Sequence, residues 1–84
     1  MHVTLISPER AVFDGAAESV VAPAFDGLVG ILPRHAPFMT LLGTGTLTVR
    51  QAGGAEGTAS QFRVAGGFLQ VVGETVRVVV ARAD

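Results

Sequence analysis

Short apolar runs, each cut off by glycine or proline, leave this chain little choice but sheet. Residues 46–50, Thr46-Leu47-Thr48-Val49-Arg50, show the pattern most cleanly, with Leu47 and Val49 alternating with Thr46, Thr48 and Arg50. Successive side chains of a strand point to opposite faces, so this period of two is that of a half-buried strand. Residues 2–7, 11–13, 18–22, 29–32, 38–42, 60–64, 68–72 and 75–80 supply further runs rich in β-formers. Between them lie turn signals: Ser7-Pro8-Glu9-Arg10, Asp14-Gly15, Pro23, Asp26-Gly27, Gly43-Thr44-Gly45, the three-glycine stretch 51–57 as a hairpin tip, and Gly73-Glu74 in a final hairpin. Gly66-Gly67 reads as a tight turn, with a bulge or a positive backbone angle as the alternative. No stretch carries a helical period. About nine short strands with turns between them predict an all-β sandwich or barrel.

The 84 residues make one domain, 1–84. A fold of this size buries only about 60% of the surface its unfolded chain exposes. With 49% apolar residues there is ample material for a core. Six cations, all arginine, face seven carboxylates for a net charge of −1. Phosphate binding needs a basic stripe, so this balance speaks against nucleic acid as a partner and against a polybasic membrane surface. A domain this neutral and apolar depends on partners for solubility. Cysteine is absent, which removes disulfides, thiolate metal sites and cysteine nucleophiles. The N-terminus opens as a strand and not as a signal peptide. No apolar run approaches the ~20 residues that span a bilayer, so direct membrane insertion is not expected and any membrane link runs through another protein.

Catalysis finds little to stand on. His2 and His35 are the only histidines, and neither has a partner at metal-ligand spacing. Ser7, Ser19 and Ser60 lack the Gly-x-Ser-x-Gly elbow. The carboxylates are scattered, and Asp14 and Asp26 precede glycines as turn residues do. Gly43-Thr44-Gly45 and Gly53-Gly54 lack the Gly-Lys-Ser/Thr of a phosphate loop. The expectation is a non-enzyme with no metal and no cofactor. Arg63 and Arg77 read as a solvated face, whereas Arg34, between Pro33 and His35, reads equally as a partner anchor or as plain solvent exposure.

The segment from Phe25 to Phe38 packs two glycines, two prolines and His35 among apolar residues, which is neither an ordinary loop nor an ordinary strand. Pro33 and Pro37 bracket Arg34-His35-Ala36 and impose an extended or turn conformation there. Four pieces then point to a family. They are Val3-Thr4-Leu5-Ile6-Ser7-Pro8-Glu9 with Val12-Phe13-Asp14-Gly15; Val20-Val21-Ala22-Pro23 leading to Asp26-Gly27-Leu28-Val29-Gly30-Ile31-Leu32-Pro33-Arg34-His35-Ala36-Pro37; Leu41-Leu42 followed by Gly45; and Val64-Ala65-Gly66-Gly67-Phe68-Leu69-Gln70-Val71. Together they span nearly the whole chain. The chain resembles the N-terminal β-sandwich domain of the epsilon subunit of F-type ATP synthases, called delta in mitochondrial naming.

The resemblance implies a two-sheet sandwich of about nine or ten mostly antiparallel strands. It implies a non-catalytic rotor part of the central stalk, joining the gamma subunit to the loops of the membrane c-ring and helping couple ion flow to ATP synthesis. Such a part is a peripheral membrane protein on the cytoplasmic face of a bacterial inner membrane. By the same resemblance, Ser7, Arg34, His35, Ala36 and Pro37 face gamma, and Asp26, Gly27, Leu28 and Val29 face the c-ring. Family members often carry Glu where this chain has Leu28, so a c-ring contact here would be more apolar or would use Asp26. Typical members continue into two C-terminal helices. A chain that stops at Asp84 is expected to lack the inhibition and the nucleotide binding those helices bring. The alternative is a stand-alone β-sandwich module that binds a different protein.

Overall fold

The computed structural model describes residues 1–51 and 59–83. The expected hairpin tip at 51–57 therefore lies almost wholly outside the described residues. Eight strands follow one another: β1 (His2–Ile6), β2 (Ala11–Ala16), β3 (Ser19–Ala24), β4 (Gly27–Ile31), β5 (Phe38–Leu41), β6 (Thr44–Arg50), β7 (Ala59–Val72) and β8 (Thr75–Ala83). Among the described residues there is no helix. The strands are hydrogen-bonded in the order β2-β1-β8-β7-β6-β3-β4, with β5 also on β7. Every pairing is antiparallel except that of β1 with β8, which joins the first strand to the last.

One connected sheet serves as two layers because it folds over on itself. Val3 and Leu5 of β1, Val76 and Val78 of β8 and Leu69 and Val71 of β7 are buried in the same cluster as Val20 and Ala22 of β3, Ile31 of β4 and Leu47 and Val49 of β6. A flat sheet could not bring strands so far apart in the pairing order into one core. The Phe13 ring, on the β2 edge, meets the Phe62 ring of β7 edge to face at 6.0 Å. Inward and outward positions alternate along β6 and along the first half of β8, as the period of two requires.

The fold-over is located at Gly66-Gly67. These glycines make no turn. They sit inside β7, with φ of +70° and +118°. The runs 60–64 and 68–72, read from sequence as two strands, are thus one. Nor is there a bulge, because β7 keeps the same register against β8 from Val64↔Ala83 to Val72↔Thr75. On its other side, β7 pairs with β6 and then β5, again in a single register across the break at Leu42-Gly43. Both strands therefore bend at one level, and the corner is held by Leu42 N–H donating to Gly67 O and Gly66 N–H donating to Gly43 O. A Cβ on Gly67 would strike the Val79 carbonyl oxygen and come within 2.7 Å of Val80 Cα, so only glycine fits.

Two other breaks behave differently from expectation. Asp14-Gly15 is not a turn but lies within β2, opposite Thr4 and Val3. Pro23 does not end β3. It pairs with Leu28, and its carbonyl accepts from Gly43 N–H, on the side where the β3–β6 ladder has already stopped at Val21. The missing proline N–H falls on that same side, where no ladder bond is lost.

Candidate functional site

Among the described residues, strand β4 is an edge strand, paired only with β3, and both of its ends carry a shaped turn. At its start, Phe25 and Asp26 form the two-residue tip of the β3–β4 hairpin, with Ala24 opposite Gly27. Gly27 takes φ +133°, which a side chain would resist. Leu28 is the next residue and is 75% exposed, while Val29 turns inward and packs against the core. Of the four residues expected to face the c-ring, Asp26, Gly27 and Leu28 are thus outward and Val29 is partly buried against the core.

At the other end, Leu32-Pro33-Arg34-His35 forms a second turn, closed by His35 N–H donating to Leu32 O at 3.2 Å. Proline at the second position and φ +66° at Arg34 make this a type II turn, in which the third position ordinarily holds glycine. His35 Nδ1 makes a 2.7 Å hydrogen bond with the carbonyl of Ala36, and its ring meets the Phe38 ring edge to face at 5.5 Å. Leu32, Arg34, Ala36 and Pro37 are exposed around this half-buried imidazole. The five residues of β4 separate the two turns by about 13 Å at the usual strand rise. Arg34, His35, Ala36 and Pro37 therefore form one tip, and the Asp26–Leu28 hairpin forms another.

Ser7 stands apart from both. It is 6% exposed and its hydroxyl donates to Arg10 O at 3.2 Å, within a turn that Ser7 N–H and Arg10 N–H also close. Its hydroxyl shapes the β1–β2 connection, so any contact there would come mainly from the turn's exposed residues, Pro8 to Arg10. Among the described residues no cluster of His, Asp or Glu could hold a metal ion.

Sequence pattern alone does not single out Phe25, Met39 and Leu41. Phe25 is 69% exposed, and its N–H donates to Leu41 O, so β5 and the β3–β4 hairpin adjoin. Met39 and Leu41 project from the same face of β5 and are also exposed. The only signal was that the run Phe38-Met39-Thr40-Leu41-Leu42 lacks a polar partner for each apolar residue. Such a run is equally that of a strand covered on both faces.

Comparison with known proteins bears on the family and the fold. A family model described as the ATP synthase delta/epsilon chain, beta-sandwich domain, matches residues 1–84. Among curated relatives, the ATP synthase epsilon chain of Synechococcus sp. (strain JA-2-3B'a(2-13)) is 40% identical over all of this chain and 58% of its own length. That of Chloroflexus aurantiacus is 38% identical over all of this chain and 60% of its own length. The chain therefore spans little more than half the length of these relatives. Among solved structures, a chain of the Tetrahymena thermophila mitochondrial ATP synthase central stalk and c-ring superposes on all of this chain and 65% of its own, with a TM-score of 0.82 at 22% identity. One from the Euglena gracilis mitochondrial ATP synthase gives 0.86 over 98% of this chain and 51% of its own, at 23% identity. At these identities, the two structures bear on the fold alone.

Proposed function

The chain belongs to the ATP synthase delta/epsilon family of β-sandwich domains, and on that premise we propose that it is a non-catalytic rotor subunit of an F-type ATP synthase. In this reading it sits in the central stalk, binds the gamma subunit, rests on the c-ring loops and helps couple ion translocation to ATP synthesis. It is held at the cytoplasmic face of a bacterial membrane through those partners. The whole-length family match carries the reading.

The geometry supplies what such a joint needs. A rotor part must pass load between two partners without bending, and a close-packed core of valine and leucine beneath hydrogen-bonded strands is stiff. The two turns at the ends of β4 offer two separate surfaces on one strand. The tip at 32–38 is fixed by proline, a closed turn and an imidazole tied to the backbone, so little entropy is lost when it docks. We assign this tip to gamma and the Asp26-Gly27-Leu28 hairpin to the c-ring. With Leu28 exposed where family members often carry Glu, the ring contact rests on apolar burial, with Asp26 beside it as the acidic group.

Co-expression with the cognate gamma subunit and c-ring tests this. The chain should co-purify with both. Leu28→Ala should leave the fold intact and weaken the c-ring contact while gamma binding is kept. A folded chain that captures neither partner would overturn the reading.

A further inference from the structure

We infer that His35 docks as a hydrogen-bond acceptor: its ring is held with the proton on Nδ1, and Nε2 offers its lone pair to an N–H or O–H donor on the partner. This rests on the reading that the 32–38 tip faces gamma.

The tautomer follows from what the ring touches. A carbonyl oxygen has no proton to give, so the 2.7 Å contact between His35 Nδ1 and Ala36 O requires Nδ1 to donate. In the neutral ring Nε2 is then left without a proton. Among the described residues the imidazole makes no other hydrogen bond, so Nε2 is free for a partner. The ring cannot easily swing away. The Leu32–His35 turn fixes its backbone, and the Phe38 ring lies against it at 61°. Which nitrogen of a histidine meets a partner is set by the bond the other nitrogen makes.

His2 supplies an internal contrast. Its Nε2 lies 2.5 Å from Asp14 Oδ1, and a carboxylate can only accept, so His2 carries its proton on Nε2. The chain's two histidines thus donate from opposite ring nitrogens. The docking tip also asks two different things of its partner. Exposed Arg34 can only donate, and the neutral His35 ring next to it accepts at Nε2. A partner surface of uniform acidity would satisfy the first and not the second.

The test has two arms. Heteronuclear NMR of the imidazole nitrogens, on the free full chain near about pH 8 and so above the ordinary histidine range, should show His35 protonated at Nδ1 and His2 at Nε2, with His2→Ala assigning the signals. Affinity for the cognate gamma subunit is then compared. His35→Gln, whose side-chain oxygen can stand in for Nε2, should bind within about twofold of the unaltered chain, and His35→Phe should lose between about fivefold and tenfold. A His35 proton found on Nε2 in the free chain overturns the inference, and so does equal affinity of the Gln and Phe variants. If the unaltered chain fails to bind gamma, the docking reading itself falls, and the donor contact with it. The spectra of the free chain involve no partner and still decide the tautomer.

Discussion

Arg34 shows how much a single backbone angle can reveal about the tip proposed to dock. Among the described residues it is the one non-glycine residue with positive φ. The left-handed region costs an L-residue roughly 1–2 kcal/mol, whereas glycine there costs only its larger unfolded-state entropy, roughly 0.5–1 kcal/mol. Arg34→Gly should therefore stabilise the free chain by up to about 1 kcal/mol in urea denaturation. Arg34→Val, whose branched side chain tolerates this region worst, should destabilise it by about 1 kcal/mol. Equal stability of the two variants would mean that the turn is not held at positive φ. If the guanidinium also reaches gamma, the Gly variant should be the more stable protein and the weaker binder. That outcome would separate the demands of the fold from those of docking.

At the scale of elements, the corner in β7 decides the architecture, and it was the feature least legible in the sequence. Paired glycines between two β-rich runs read naturally as a turn, because a turn and an in-register corner need the same positive φ and differ only in what lies alongside. Here β5, β6 and β8 flank the pair on both sides and keep it in the ladder, which no local pattern encodes. Pro23 and Asp14-Gly15 depart from expectation for the same reason, since neighbouring strands decide whether a breaker residue breaks anything. The strands themselves, the Gly73-Glu74 hairpin and the proline-fixed tip were legible because they rest on alternation and on backbone limits that each residue carries with it. The two glycines should separate by mutation. At Gly66 the nearest atom to an added Cβ is Ala81 Cβ at 3.7 Å, so Gly66→Ala meets only the backbone penalty, about 1 kcal/mol. Gly67→Ala adds a collision with the β8 backbone and should cost about 3 kcal/mol or more. Chemical denaturation of the pair measures both, and similar losses would place the close approach elsewhere.

For the whole molecule, stability rests on one core closed between the first and last strands, and a domain this small has little margin. Leu5, fully buried in β1, lies between Phe13 of β2 and Val78 of β8, where the two ends of the chain meet. Phe62 is the larger side chain and points inward as its alternation predicts, but it is only half-buried and meets Phe13 at the rim of the layers. Burial, not size, should rank the two. Leu5→Ala is expected to cost about 2–5 kcal/mol through lost transfer energy and the cavity left behind. Phe62→Ala should cost about 1–3 kcal/mol, because water can enter the space it vacates and part of its surface was never removed from solvent. Urea unfolding of both variants, with the slope compared to that of the unaltered chain, checks the order. A Phe62→Ala loss above that of Leu5→Ala would put the centre of the core between β2 and the first half of β7, and the parallel β1–β8 pairing would then no longer be what closes the sandwich.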